Sequence, residues 1–230
     1  MSALPSFDPR TVPIVAVDSD LPHVPAERLN AQALRARFAA PPMWTPEVVR
    51  EPQFLDRAPA DAAVLVPLVQ NPNGLSVLLT QRTAHLRSHA GQISFPGGRA
   101  EEGDAGPAET ALREAQEEVG LQPQQIRVLG LMPAYFTVTA FDVTPVVAVV
   151  QPPLGIKPDR HEVDDVFEVP LSFLMNPAHH RRHRFESGGT IRHFLSMPWE
   201  GVGLSGQQRE FFIWGATAAM LRNLYHLLAR

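Results

Sequence analysis

The chain has 230 residues, with 20 basic against 24 acidic side chains, a net charge of −4, and no cysteine. The charge balance excludes a general nucleic-acid or anionic-membrane binder. The missing thiols exclude a disulfide scaffold, a thiolate zinc site, an iron–sulfur cluster and a cysteine nucleophile.

Ten of the 23 prolines fall in the first 60 residues. Residues 1–60 therefore read as an irregular, proline-rich leader. One packed helix is expected in it, over the proline-free stretch 26–39, where Leu29, Leu34 and Phe38 recur near helical spacing. The first ten residues lack the apolar core of a signal peptide, and no apolar run approaches the ~20 residues needed to span a bilayer. A soluble, cytoplasmic protein without a membrane partner is expected.

Residues 61–230 form the second unit. Strands are predicted over 63–69 and 75–80, joined by a turn at Asn71-Pro-Asn-Gly74. A short run over 92–95 ends at Pro96-Gly97-Gly98, and a helix is predicted over 107–119. Proline in its first turn and Gly120 just past its last mark its ends. Further strands are predicted over 126–132, 143–150 and 190–196, with a mixed stretch over 163–174. An apolar helix over 211–228 closes the chain. Strands and helices mix without regular βαβ alternation, which points to an α/β sandwich around a mixed β-sheet.

The helix over 107–119 carries the chemistry. At 100° per residue Glu114, Glu117 and Glu118 share an arc of about 100° on one face, while Ala111, Leu112, Ala115 and Val119 form the buried stripe. Arg113 lies one turn before Glu117 and can pair with it. From Glu101 to Glu118 seven acids face one arginine, a local net of −6. Such a face is either solvated or gathered around a hard divalent ion. Two features favour the ion: the acids sit toward the helix C-terminus, where the dipole disfavours them, and Gly97-Gly98 lets backbone approach closely.

The run Arg113-Glu-Ala-Gln-Glu-Glu-Val-Gly-Leu121 resembles the second half of the Nudix box, REUxEExGU with U apolar, and Gly98 matches the leading glycine. The first half departs from the family's Gly-x5-Glu-x7-Arg. Asp104 follows Gly98 after five residues, but eight separate it from Arg113, so the loop is one residue longer and Asp104 receives no ligand role. The resemblance implies a Nudix fold, an α/β/α sandwich, and Mg2+- or Mn2+-dependent cleavage of a nucleoside diphosphate linked to another group. It implies Glu114, Glu117, Glu118 and the Gly98 carbonyl as metal ligands, with Glu117 and Glu118 at the catalytic centre and Arg113 orienting Glu117.

Upstream, no acid occurs between Leu78 and Arg99, while Arg82, Arg87, Arg99, His85 and His89 are present. These are either surface arginines in a chain whose only lysine is Lys157, or the phosphate-holding side of a metal-bridged site. LLTQR, Arg87, Gly91 and FPGG at these spacings resemble the extra signature of the coenzyme A pyrophosphatase branch of the Nudix hydrolases. Thr83, where serine or alanine is usual, is a small departure. The segments 143–147, 162–171 and 211–224 resemble the branch too. The branch implies hydrolysis of coenzyme A to 3′,5′-ADP and 4′-phosphopantetheine, with Arg82 and Arg87 holding substrate phosphates. Glu162 is the later acid considered as catalytic base; beside Asp164 and Asp165, it also reads as a surface carboxylate.

The alternatives are a Nudix hydrolase of another nucleoside diphosphate derivative, such as ADP-ribose or a dinucleotide, and a non-catalytic Nudix-fold regulator. The partner expected is a small molecule rather than nucleic acid, and a homodimer is one assembly the sequence leaves open. His179-His-Arg-Arg-His-Arg184 reads as a solvated basic loop, and Trp214 as core.

Overall fold

The computed structural model describes residues 7–51, 58–85, 90–187 and 190–230. Its central sheet starts from a hairpin. β2 (Ala60–Asn71) and β3 (Gly74–Arg82) pair antiparallel, with Asn71 opposite Gly74, whose φ of +121° suits glycine at the turn. β8 (Phe141–Val150) runs parallel to β2, and β6 (Ile126–Leu131) closes that side antiparallel to β8. On the other side β3 pairs with β4 (Ile93–Ser94) and with β9 (Val163–Pro170). β5 (Gly97–Arg99) extends along β2, and β7 (Tyr135–Phe136) along β8. β2, β3 and β8 are almost continuously buried, as expected of strands covered on both faces.

One face is covered by α2 (Pro107–Val119), which sets Ala111, Ala115 and Val119 against Leu65, Val69, Leu78 and Val146. The opposite face carries a larger core. It takes in Leu34 of α1 (Ala31–Ala39), Leu171 and Leu174 of α3 (Leu171–Leu174), and α4 (Gly215–Ala229). The fold is α/β, a Nudix-type layering of helices on both faces of a mixed sheet.

A second, antiparallel sheet adds to this. Its order is β1 (Ile14–Val17), β10 (Arg181–Ser187), β11 (Thr190–Val202) and β12 (Gln208–Trp214). The proline-rich segment thus contributes an edge strand as well as a helix, and Asp18 and Glu47 from it reach a buried ion-pair network around Arg222 of α4.

Three expectations are corrected here. The closing helix begins at Gly215, not at 211; Phe211, Phe212 and Ile213 lie in β12, where aromatic and β-branched side chains suit a pleated surface. The strand expected over 190–196 continues to Val202. The basic run 179–184 is not a solvated loop but enters β10. His180 is 0% and His183 2% exposed; His183 bonds Ser196 Oγ at 2.8 Å and the Val12 carbonyl at 3.0 Å. Burial lowers the pKa of both imidazoles, that of His180 to about 4, so the run carries less charge than its letters imply.

Candidate functional site

Local signals fix α2 and therefore its acids. Pro107 opens it, and Gly120, in the left-handed region at φ +75°, ends it by donating to the Gln116 carbonyl at 3.0 Å. The last turn then holds Glu117 and Glu118, with Glu114 one turn earlier. β5 passes close beside this face. A Cβ on Gly98 would lie 2.5 Å from Glu114 Oε1, so any larger residue would push that carboxylate aside from the backbone.

Arg113 organises the outer side. Its Nε and one terminal nitrogen bond the two oxygens of Asp104, each at 3.1 Å. The other terminal nitrogen reaches Glu114 at 3.0 Å and Glu117 at 3.1 Å. Asp104 also accepts from Thr110 Oγ1 at 2.8 Å and from the Glu101 N–H at 3.0 Å. These donors, Arg113 foremost, hold the Asp104 carboxyl well below the usual range, and Asp104 with Glu114 in turn pushes the Arg113 guanidinium above its own. The lengthened loop thus ends in a bidentate anchor.

The inner side is different. Glu118 is buried on the sheet side and accepts the Gly97 N–H at 3.1 Å. Burial dominates and raises its pKa to about 7, although the Gly97 bond and Arg82 oppose that. Burial likewise raises Glu114. The Arg82 guanidinium stands between two carboxylates, 3.6 Å from Glu118 Oε1 and 3.8 Å from Glu162 Oε2. Arg82 and Glu162 meet because β3 and β9 are paired there, and the Thr83 N–H donates to the Glu162 carbonyl at 2.9 Å. Glu114, Glu118, Arg82, Glu162 and Gly98 all line one cleft of about 1290 Å3, larger than the ~300–1,000 Å3 usual for a small-molecule site.

The sequence matches the NUDIX domain model over residues 59–188. It is also 43% identical over 164 residues to the uncharacterized Nudix hydrolase NudL of Salmonella newport, and equally to that of Salmonella dublin, across 71% of this chain and 80% of the relative. The chain belongs to the Nudix family. Among solved structures, this Nudix chain is similar to a Caenorhabditis elegans Ap4A hydrolase binary complex, at 22% identity and TM-score 0.42, over 48% of this chain and 80% of that one. It is similar also to the NUDIX domain of Shewanella oneidensis NrtR complexed with ADP-ribose, at 23% identity and TM-score 0.40, over 50% and 75%.

Nudix hydrolases generally use divalent metals such as Mg2+ or Mn2+. Among the described residues no three carboxylate or imidazole side chains already close on one point, because Glu117 is exposed and turned to Arg113. The donor set nevertheless fits a hard cation: every candidate ligand is an oxygen, the Gly98 backbone lies close against the Glu114 carboxylate, and acids outnumber bases around the cleft.

Of the residues singled out by sequence, Gly98, Glu114, Glu118, Arg82 and Glu162 are brought together in the Nudix cleft, while Glu117 and Arg113 stand at its outer edge. Arg87 lies outside the described residues. Asp104 was legible only as a departure from the box; its acid type and its place before the helix were the available signal for an Arg113 anchor. The far end of the cleft was missed. There Phe7, Phe185, Phe194 and Trp214 line the wall, so Trp214 faces the cleft and is only partly buried.

Proposed function

We propose that the chain hydrolyses the pyrophosphate bond of coenzyme A, and of derivatives that keep this bond, to 3′,5′-ADP and 4′-phosphopantetheine, using Mg2+ or Mn2+. One observation carries the reading: Arg82, from the arginine-bearing LLTQR strand, lies between Glu118 and Glu162 in the cleft that also holds Glu114 and Gly98. Cationic and anionic groups so placed are what a metal-bridged polyanion requires at its cleavage point.

Glu114, Glu117, Glu118 and the Gly98 carbonyl would hold the metal. When bound, the ion neutralises pyrophosphate oxygens and lowers the pKa of water. The remaining work falls to the chain. Arg82, with Arg87, binds substrate phosphates through the guanidinium fork. Arg113, itself fixed by Asp104, orients Glu114 and Glu117 through one nitrogen. Glu162, half exposed and facing Arg82, accepts the proton of the attacking water at Oε2. Glu118, enclosed against β5, accepts the Gly97 N–H and forms the inner wall of the site. Residues 61–230 are proposed as the hydrolase domain and 1–60 as its leader, in a cytoplasmic protein whose partner is a small molecule. Among the described residues no helix is long and apolar enough to cross a membrane.

The test is product identification from a panel of coenzyme A, ADP-ribose and a dinucleotide with either metal. Coenzyme A should be cleaved fastest. Faster cleavage of ADP-ribose or the dinucleotide would replace the substrate while keeping the reaction, and no turnover of any of them would leave a binding protein.

A further inference from the structure

The end of the cleft remote from α2 is aromatic. Phe7 stands 4.4 Å from Phe185, centroid to centroid, and 5.8 Å edge-on from Trp214; Phe194 stands 5.4 Å from Trp214 at 70°. Aromatic clusters usually fill cores, but none of these four rings belongs to either buried core or packs against one. All four are only partly buried and line the same cleft as Glu114 and Glu118. Arg10 and Arg192 line that end as well, Arg192 with its guanidinium 5.9 Å over the Phe185 ring.

These groups converge from four separate places. Phe185 is on β10, Phe194 on β11, Trp214 on β12, and Phe7 precedes β1. The segment after Phe7 is held in place: Asp8 caps the turn through the Arg10 N–H at 3.0 Å, and the Val12 carbonyl accepts from His183. Phe7 is therefore a built wall of the cleft. Except for Phe185, the rings lie outside the stretch that matches the NUDIX domain model.

Phe194 has one face stacked on the buried His183 ring, at 4.5 Å, and stays partly open to the cleft. Partly open rings flanked by guanidinium groups suit a ligand that is planar, aromatic and anionic at its edge. We infer that this end is a nucleobase subsite: the base of the substrate stacks against Phe7, Phe194 and Trp214, and a phosphate on its ribose meets Arg10 and Arg192. The inference rests on the proposed function only for placing the scissile bond at α2. A base needs little hydrogen-bonded readout to bind in this way, because every base presents a π-face.

The test is binding, not turnover. The full chain is titrated with AMP and, separately, with ribose 5-phosphate by calorimetry in the presence of EDTA. AMP should bind, and Phe7→Ala and Phe194→Leu should each weaken it by about tenfold or more. Ribose 5-phosphate should bind more weakly and be unchanged by either substitution, while Phe7→Tyr should keep the parent affinity for AMP. Phe7 is a partly exposed side chain outside the core, so Phe7→Ala should melt with the parent. Equal affinity for the two probes, AMP binding indifferent to Phe7→Ala, or no AMP binding would overturn the subsite. So would 4′-phosphopantetheine binding that Phe7→Ala weakens while AMP binding is spared. If coenzyme A is not cleaved but the AMP pattern holds, the hydrolase reading fails alone; if coenzyme A is cleaved and the AMP pattern is missing, the subsite fails alone.

Discussion

Two charged clusters in this molecule use the same side chains to opposite ends. Around the cleft, among the described residues, Glu101, Asp104, Glu114, Glu117, Glu118 and Glu162 share only Arg82 and Arg113 as ion-pair partners. Behind the second sheet, Asp18 and Glu47 meet Arg182 and Arg222. There, Arg222 Nε bonds Glu47 at 2.7 Å and Arg182 bonds both acids at 2.7 Å. His180 and His226 complete this second cluster. The first cluster has surplus negative charge and opens on a cavity; the second is balanced, and its Arg222 is 1% exposed. Burying charge is tolerable only when every charge is paired, so balance marks architecture and surplus marks a place for a ligand.

The largest expected effect breaks the balanced cluster. Arg222→Met leaves Asp18 and Glu47 short of a cation and should cost about 3–5 kcal/mol of stability by urea unfolding, with catalysis per folded molecule near normal. Next comes the surplus cluster. Glu118→Gln should lower kcat on the order of 10²–10³-fold. Its melting temperature should stay at or above the parent's, because a charged carboxylate is removed from a buried place. If the two variants exchanged phenotypes, the distinction between the clusters would be wrong.

A smaller effect is read against pH. His180 donates from Nε2 to the Leu174 carbonyl at 2.8 Å and accepts at Nδ1 from Arg222 at 2.9 Å, so a proton at Nδ1 has no room beside the guanidinium. Its folded pKa of about 4 lies below the ordinary 6.5, chiefly through burial. Stability from this group is complete above pH 6.5 and is lost as pH falls from 6.5 to 4, by about 3 kcal/mol. His180→Gln should flatten unfolding free energy over that interval; an unchanged slope would remove His180 from the network. Smallest is Asp104→Asn, which loosens Arg113 and should lower kcat by roughly ten- to a hundredfold with little change in KM.

The difference between the clusters also explains what could be read from the sequence. α2 was legible to the residue because Pro107 and Gly120 act within a turn of themselves, and the acid face follows from helical period alone. The strands over 63–69 and 75–80 were legible from their apolar runs. Of the second sheet, only the start of β11 over 190–196 was legible. β1, Ile14–Val17, has all four residues exposed and exists only through its pairing with β10. Phe211–Trp214 is a short apolar run that suits helix or strand equally, and only its register with β11 decides. His180 and His183 read as surface charges because the groups that enclose them, Arg222, Ser196 and Val12, lie far along the chain. The arginine skew proved more telling than the net charge, since both charged clusters and the aromatic end of the cleft use arginine as their cation.

The most direct measurement is the identity of the products when the purified full chain is given coenzyme A with Mg2+ or Mn2+, resolved by chromatography and mass. Equal amounts of 3′,5′-ADP and 4′-phosphopantetheine are expected, and they should vanish in Glu118→Gln. Intact coenzyme A with both metals, in a protein that melts cooperatively, would contradict the proposed reaction.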